Sequence, residues 1–219
     1  MTDAPRFTLD EIEAGRRLLA GPVAFTLGCA GLHQLPAGDR PEFAFAGRSN
    51  VGKSSLVNAL TGRNKLARSS SEPGRTRELN YFDLGDGLAW MVDLPGYGYA
   101  KVSRTQAEAW MALTRDYLRG RASLRRVFLL VDSRRGIMAP DEEMMGMLDG
   151  AAVNYQIVLT KTDKLKAGAI EKIHEATHGV LKRHGAAHPY VHLTSSEKGA
   201  GLSELKAEIA TLVLGQSTV

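Results

Sequence analysis

The chain carries one cysteine, Cys29, among 219 residues, so no intramolecular disulfide can form. A lone cysteine is more often a small buried apolar residue than a nucleophile, and such sparing use fits a reducing compartment. A membrane-spanning helix needs ~20 consecutive apolar residues. The apolar stretch Leu18 to Leu32 is shorter and is broken by Gly21, Pro22, Gly28 and Gly31. It reads as surface packing or as a strand and turn. Met1 to Arg6 are not followed by an apolar run with a cleavage site, so no signal peptide is predicted. Lipidation motifs and strongly amphipathic membrane helices are missing too. These absences predict a cytoplasmic protein without a membrane partner. No internal repeat or long low-complexity tract is seen. With 43% hydrophobic and 24% charged residues, the composition is that of a globular protein, which removes the disordered and fibrous classes.

Charge of one sign is only mildly in excess, at +4. Its placement says more. Arg63, Lys65, Arg68, Arg75 and Arg77 share one loop. Arg115, Arg119, Arg121, Arg125 and Arg126 share a second stretch, and Lys182, Arg183, His184 and His188 a third. Each cluster alone reads as a solvated face; together they suggest a polyanion such as RNA as partner.

What is present is led by Gly47-Arg48-Ser49-Asn50-Val51-Gly52-Lys53-Ser54. This fits G-x-x-x-x-G-K-[ST], the loop that wraps nucleotide phosphates. Its glycines permit the turn that points backbone N–H groups inward. Lys53 reaches for the β- and γ-phosphates, and the Ser54 hydroxyl is a ligand for Mg²⁺. The apolar run 41–46 before it reads as a buried strand, and Ser55 to Leu60 as a helix. A helix N-terminus directly after the loop favours an anion through its dipole and free N–H groups.

The remaining pattern alternates. Strands are predicted at 80–84 and 88–93, a hairpin around Gly85-Asp86-Gly87, then at 127–132, 156–160 and 190–194. Helices are predicted at 104–119, 141–152, 168–184 and 202–214. Residues 1–40 read as an N-terminal extension with a helix from Leu9 to Leu19, and 41–219 as the main domain. The class is α/β: six strands in a mostly parallel sheet covered on both faces, with one antiparallel edge strand from the hairpin. In such sheets ligands sit at the carboxyl ends of the strands.

Three strand ends carry chemistry. Asp93-Leu94-Pro95-Gly96 offers a carboxylate for Mg²⁺ and, at Gly96, an N–H for a γ-phosphate; that second contact exists only in the triphosphate state. Thr160-Lys161-Thr162-Asp163 places a carboxylate where guanine has N–H donors and adenine has none, while the Lys161 stem lies on the base. Many guanine-binding proteins have Asn where Thr160 stands, and the departure removes one amide link between loops. Thr194-Ser195-Ser196 follows the last strand and offers backbone N–H groups to the guanine O6. In the long loop 62–79, Gly74-Arg75-Thr76 supplies a threonine for metal and γ-phosphate; Ser69, Ser70 and Ser71 compete for that role.

GRSNVGKSSL, PGRT, DLPGYGYA, TKTD and the Ser195-Ser196 turn, in this order, resemble the EngB family of bacterial ribosome-biogenesis GTPases. The resemblance covers about residues 41–214. It implies a Ras-like, three-layer G domain that uses GTP, GDP and Mg²⁺. It also implies a role in assembling the large (50S) ribosomal subunit, with ribosomal RNA and ribosomal proteins as partners. Carried over, Asn50, Gly52, Lys53, Ser54 and Ser55 hold phosphates and metal, and Thr76 is the switch threonine. Asp93 and Gly96 serve metal and γ-phosphate, and Lys161, Asp163, Ser195 and Ser196 read the base. Related GTPases with Asn at the position of Asn50 resemble a potassium-activated group, which adds K⁺ to the expected ligands and Asn50 to the catalytic set with Lys53 and Thr76.

Ras-type enzymes place a glutamine directly after the D-x-x-G glycine to position water. Tyr97 stands there, so slow intrinsic hydrolysis is predicted. One G domain without an obvious dimer segment reads as a monomer. Two other classes compete: a nucleotide-gated protein-interaction switch, in cell division or at a surface, with hydrolysis incidental; and an ATP-using P-loop enzyme, against which Thr160 to Asp163 argue.

Overall fold

The computed structural model describes residues 6–63, 66, 78–98 and 104–215. A seven-stranded sheet lies between two layers of helices. The strands, in chain order, are β1 (Val23–Cys29), β2 (Glu42–Gly47), β3 (Leu79–Leu84), β4 (Ala89–Asp93), β5 (Leu124–Asp132), β6 (Tyr155–Thr160) and β7 (His192–Leu193). The helices are α1 (Leu9–Ala20), α2 (Lys53–Thr61), α3 (Arg104–Gly120), α4 (Ala139–Gly150), α5 (Ala167–Leu181) and α6 (Leu202–Leu214). Across the sheet the order is β1-β3-β4-β2-β5-β6-β7.

Strand β2 sits near the centre and is buried throughout. Its side chains alternate between faces, as the pleat requires. Phe43 and Phe45 pack with Phe128, Leu56, Leu60, Leu205 and Ile209 under α1, α2 and α6. Ala44 and Ala46 face Tyr117, Met144 and Leu148 under α3 and α4. The parallel register of β2 with β4 and β5, and of β5 with β6, brings the ends of these strands to one edge of the sheet. Gly47, Asp93, Asp132 and Thr160 therefore cluster before any side-chain contact is considered.

Two expectations about the sheet are corrected. It has seven strands rather than six, because β1 joins it. The antiparallel strand β3 is also not an edge: β1 pairs with its outer side, antiparallel, from Val23↔Leu84 to Cys29↔Leu79. Gly21, Pro22 and Gly31 flank this strand, and Gly28 lies within it opposite Asn80. Three consecutive exposed residues, 24–26, hide the usual alternation. Strand β7 is shorter than the predicted 190–194.

Helix α1 begins at a capping box in which the Thr8 hydroxyl accepts from the Glu11 N–H and the Glu11 carboxylate accepts from the Thr8 N–H. It buries Leu18 and Leu19, and each buried leucine stabilises by ~1.5–3 kcal/mol, enough to make the helix part of the core. α1 lies along α6. At Gly15 the approach is so close that a Cβ would sit 2.4 Å from the Lys206 carbonyl carbon.

Two predicted basic residues turn inward. Arg121 pairs with the buried carboxylate of Glu42, and Arg126 pairs with Glu208 and donates to Gln156. They hold the fold and leave the second cluster with Arg115, Arg119 and Arg125 exposed. In the third cluster, His184 bonds Asp149 at 2.6 Å.

Candidate functional site

The loop between β2 and α2 has the geometry its glycines predict. Gly47 leaves the sheet where a Cβ would come within 2.9 Å of Val51 Cγ1 and 3.1 Å of the Leu130 carbonyl oxygen. Asn50 and Gly52 have φ of 65° and 105°, both in the left-handed region, which costs a side-chain-bearing residue about 1–2 kcal/mol. Gly52 opens α2 without a side-chain cap, so the first-turn N–H groups at Lys53, Ser54 and Ser55 keep the potential that draws an anion.

The neighbouring segment lies against this loop. Ser49 N–H donates to the Tyr97 carbonyl at 2.9 Å, and Tyr97 N–H donates to the Gly47 carbonyl at 3.3 Å. The Ser49 hydroxyl faces the Gly96 carbonyl. Asp93, almost buried at the end of β4, pairs with the Lys53 ammonium. Ser54 and Asp93 thus bring a hydroxyl and a carboxylate to the place where the loop meets the helix. Two hard oxygens suit Mg²⁺.

Tyr97 does not face the phosphate loop with its hydroxyl. The phenol is buried, stacked on Trp110 with centroids 6.2 Å apart, and donates to Asp141 Oδ1 at 2.8 Å. Burial, reinforced by the Asp141 carboxylate, pushes its pKa well above the usual phenol value. Asp141 also caps α4 through the Met138 N–H. Sequence reasoning missed this partner, which lies 44 residues away.

At the end of β6, Thr160 makes a link of its own in place of the amide: its hydroxyl donates to the Val51 carbonyl at 2.7 Å, inside the phosphate loop. Lys161, with φ of 60°, reaches over the same loop and donates to the Asn50 carbonyl at 2.6 Å. Asp163 accepts from the Ser195 hydroxyl at 2.6 Å and pairs with Lys164 at 3.0 Å. Those two partners, Ser195 first, hold its pKa below the ordinary carboxylate value. Thr162 N–H and hydroxyl both bond the Thr194 carbonyl, which joins the two base-side loops. Thr194 is buried with its hydroxyl on the Leu159 carbonyl, so its backbone rather than its side chain faces the other loop. Ser196 follows, half-buried.

The structure therefore brings Gly47 to Ser55, Asp93, Gly96, Thr160, Lys161, Asp163 and Ser195 around one edge of the sheet. Gly74, Arg75 and Thr76, with the competing Ser69 to Ser71, lie outside the described residues. One contributor was not anticipated. Asp132, ending β5, pairs with Lys161 at 2.9 Å and with Arg134 at 2.7 Å. The signal was available: like Asp93, Asp132 is a carboxylate that closes an apolar strand.

Comparison with known proteins agrees with this geometry. A family model described as "50S ribosome-binding GTPase" matches residues 42–161. A probable GTP-binding protein EngB of Hyphomonas neptunium is 63% identical over 213 residues, 96% of this chain and 97% of that protein. Its counterpart in Rhodospirillum rubrum is 55% identical, with 92% and 89% covered. A crystal structure of a probable GTP-binding protein engB superposes with a TM-score of 0.64 at 22% identity, covering 80% of this chain and all of that one, which shows the fold.

Proposed function

The chain belongs to the EngB family of GTP-binding proteins and is a P-loop GTPase, and from that premise we propose that it is a slow nucleotide switch in assembly of the large ribosomal subunit. The observation that carries the slow rate is Tyr97: its phenol is held on Asp141 and packed on Trp110, where it cannot orient a water for in-line attack. The ribosomal reading is supported by the family model's description and by the exposed arginines at 115, 119 and 125.

The chain's own residues do the following. Backbone N–H groups from Asn50 to Ser55 hold the phosphates. Lys53, paired with Asp93 here, turns to the β- and γ-phosphates, and the anion replaces the carboxylate as its partner. Asp93 and Ser54 would hold Mg²⁺, with Thr76 as the expected third protein ligand. When bound, that ion would supply positive charge against the phosphates. Gly96 N–H meets the γ-phosphate and lets go after hydrolysis, so the segment that follows reports the nucleotide state. Asp163 accepts from guanine, with Lys161 along the base. Asn50 is exposed at the rim of the loop, and on this reading its amide would help hold K⁺ against the phosphates. Replacing K⁺ by Na⁺ at equal ionic strength should then lower kcat several-fold; equal rates remove the cation from the reading.

The test of the ribosomal role is co-sedimentation with purified 50S subunits in a non-hydrolysable GTP analogue and in GDP. Binding should be stronger with the analogue and fall steeply with salt. Equal recovery in both nucleotides, or none in either, overturns it.

A further inference from the structure

We propose that Asp132 is a positioning residue for guanine-nucleotide binding, holding Lys161 across the phosphate loop so that the base-reading and phosphate-binding loops form one cradle. The inference rests only on GTP binding, not on the ribosomal role.

The wiring is continuous. Asp132 ends β5 directly beside Thr160, the end of β6. Its carboxylate is nearly buried and filled with donors. Oδ2 accepts from Lys161 Nζ at 2.9 Å and Arg134 Nη2 at 2.7 Å; Oδ1 accepts from Arg134 Nε at 2.9 Å and the Arg134 N–H at 3.1 Å. Lys161 Nζ spends a second proton on the Asn50 carbonyl, and its stem passes close enough to Gly52 that a Cβ there would lie 3.5 Å from Lys161 Cε. One residue earlier, Thr160 takes the Val51 carbonyl. Two successive carbonyls of the phosphate loop are thus tied to the base side.

The magnitudes say why a carboxylate is needed. A lysine side chain surrenders up to ~2 kcal/mol of rotamer entropy when fixed, and a hydrogen bond from its ammonium to a carbonyl returns about 1.5–3 kcal/mol, which leaves little margin. The bond to Asp132, with both partners charged, supplies that margin and fixes the direction of Lys161. Asn50 needs the help, since its left-handed backbone is strained. Arg134 completes the arrangement by keeping Asp132 ionised, and the two cations around one anion leave the positive sign that phosphate favours. A cleft of about 220 Å³, lined by residues 48–51 with Asp132, Arg134 and Arg135, opens on this group.

The test measures dissociation of a fluorescent GDP by stopped flow, with steady-state GTP hydrolysis and melting of the nucleotide-free protein. Asp132→Ala should speed GDP release ~10-fold or more and raise KM in proportion, with kcat within ~3-fold and the melting temperature little changed. Asp132→Asn, whose amide oxygen still accepts from Lys161 but carries no charge, should fall between the wild type and Asp132→Ala, and it serves as the test if the alanine variant fails to fold. In the double variant Asp132→Ala, Lys161→Ala, release should be no faster than in Lys161→Ala alone, because Asp132 acts through Lys161. Unchanged release in Asp132→Ala, or additive effects in the double variant, overturns the proposal.

Discussion

The two ends of the nucleotide site are held differently. At the proposed base end, the contacts join loop to loop: Thr160 to Val51, Lys161 to Asn50, Thr162 to Thr194 and Ser195 to Asp163. At the hydrolysis end, the central contact is between Lys53 and Asp93, two groups that phosphate and metal would each claim. The residue after the switch glycine is spent on Asp141. The base end is built before the ligand arrives, whereas the other end must exchange partners to accept it. Preorganisation at one end supplies affinity and selectivity, and exchange at the other makes the protein a switch.

The largest effect that bears on this contrast is expected at Asp163. Asp163→Asn should turn preference from guanine towards xanthine nucleotides by about 10³-fold or more, as expected when a buried polar match is broken, read by competition against labelled GDP. Retained guanine preference would mean that the base end is not where selectivity lies. A middle effect is expected from Thr160→Val, which keeps the shape and removes the donor to Val51. GDP affinity should fall roughly tenfold, the equivalent of about 1–1.5 kcal/mol for a lost buried hydrogen bond, with calorimetry as the measurement. If affinity holds, the tie between the loops is ornamental. The smallest is Tyr97→Phe. Stability should drop by about 1 kcal/mol in chemical denaturation because Asp141 loses a donor, while intrinsic hydrolysis stays within ~2-fold. A tenfold fall in kcat would put the phenol in the chemistry and undo the contrast.

Much of the site was legible because its signals are local. Gly47 to Ser54 and Asp93 to Gly96 are contiguous runs whose geometry follows from glycine placement and strand ends. The missing parts are non-local. Thr160 read as a lost amide because its hydroxyl finds its acceptor 109 residues away. Arg121 and Arg126 read as surface charge because their carboxylates lie 79 and 82 residues away, and composition does not reveal which arginine has such a partner. Strand β1 reads equally as strand or surface packing because an edge strand with exposed residues in succession gives no alternation, and its place outside β3 is a matter of the whole sheet.

The seam between α1 and α6 has a consequence for a shortened chain. The first helix finds its resting place on the last one, with Gly15 seated on the backbone at Lys206 and Ala207. The leucines of α1 share their cluster with residues of α2 and the sheet as well as with Leu205 and Ile209 of α6. Two segments far apart in sequence thus close one layer together, and a chain cut before α6 should leave that layer half covered and prone to association through its exposed apolar face.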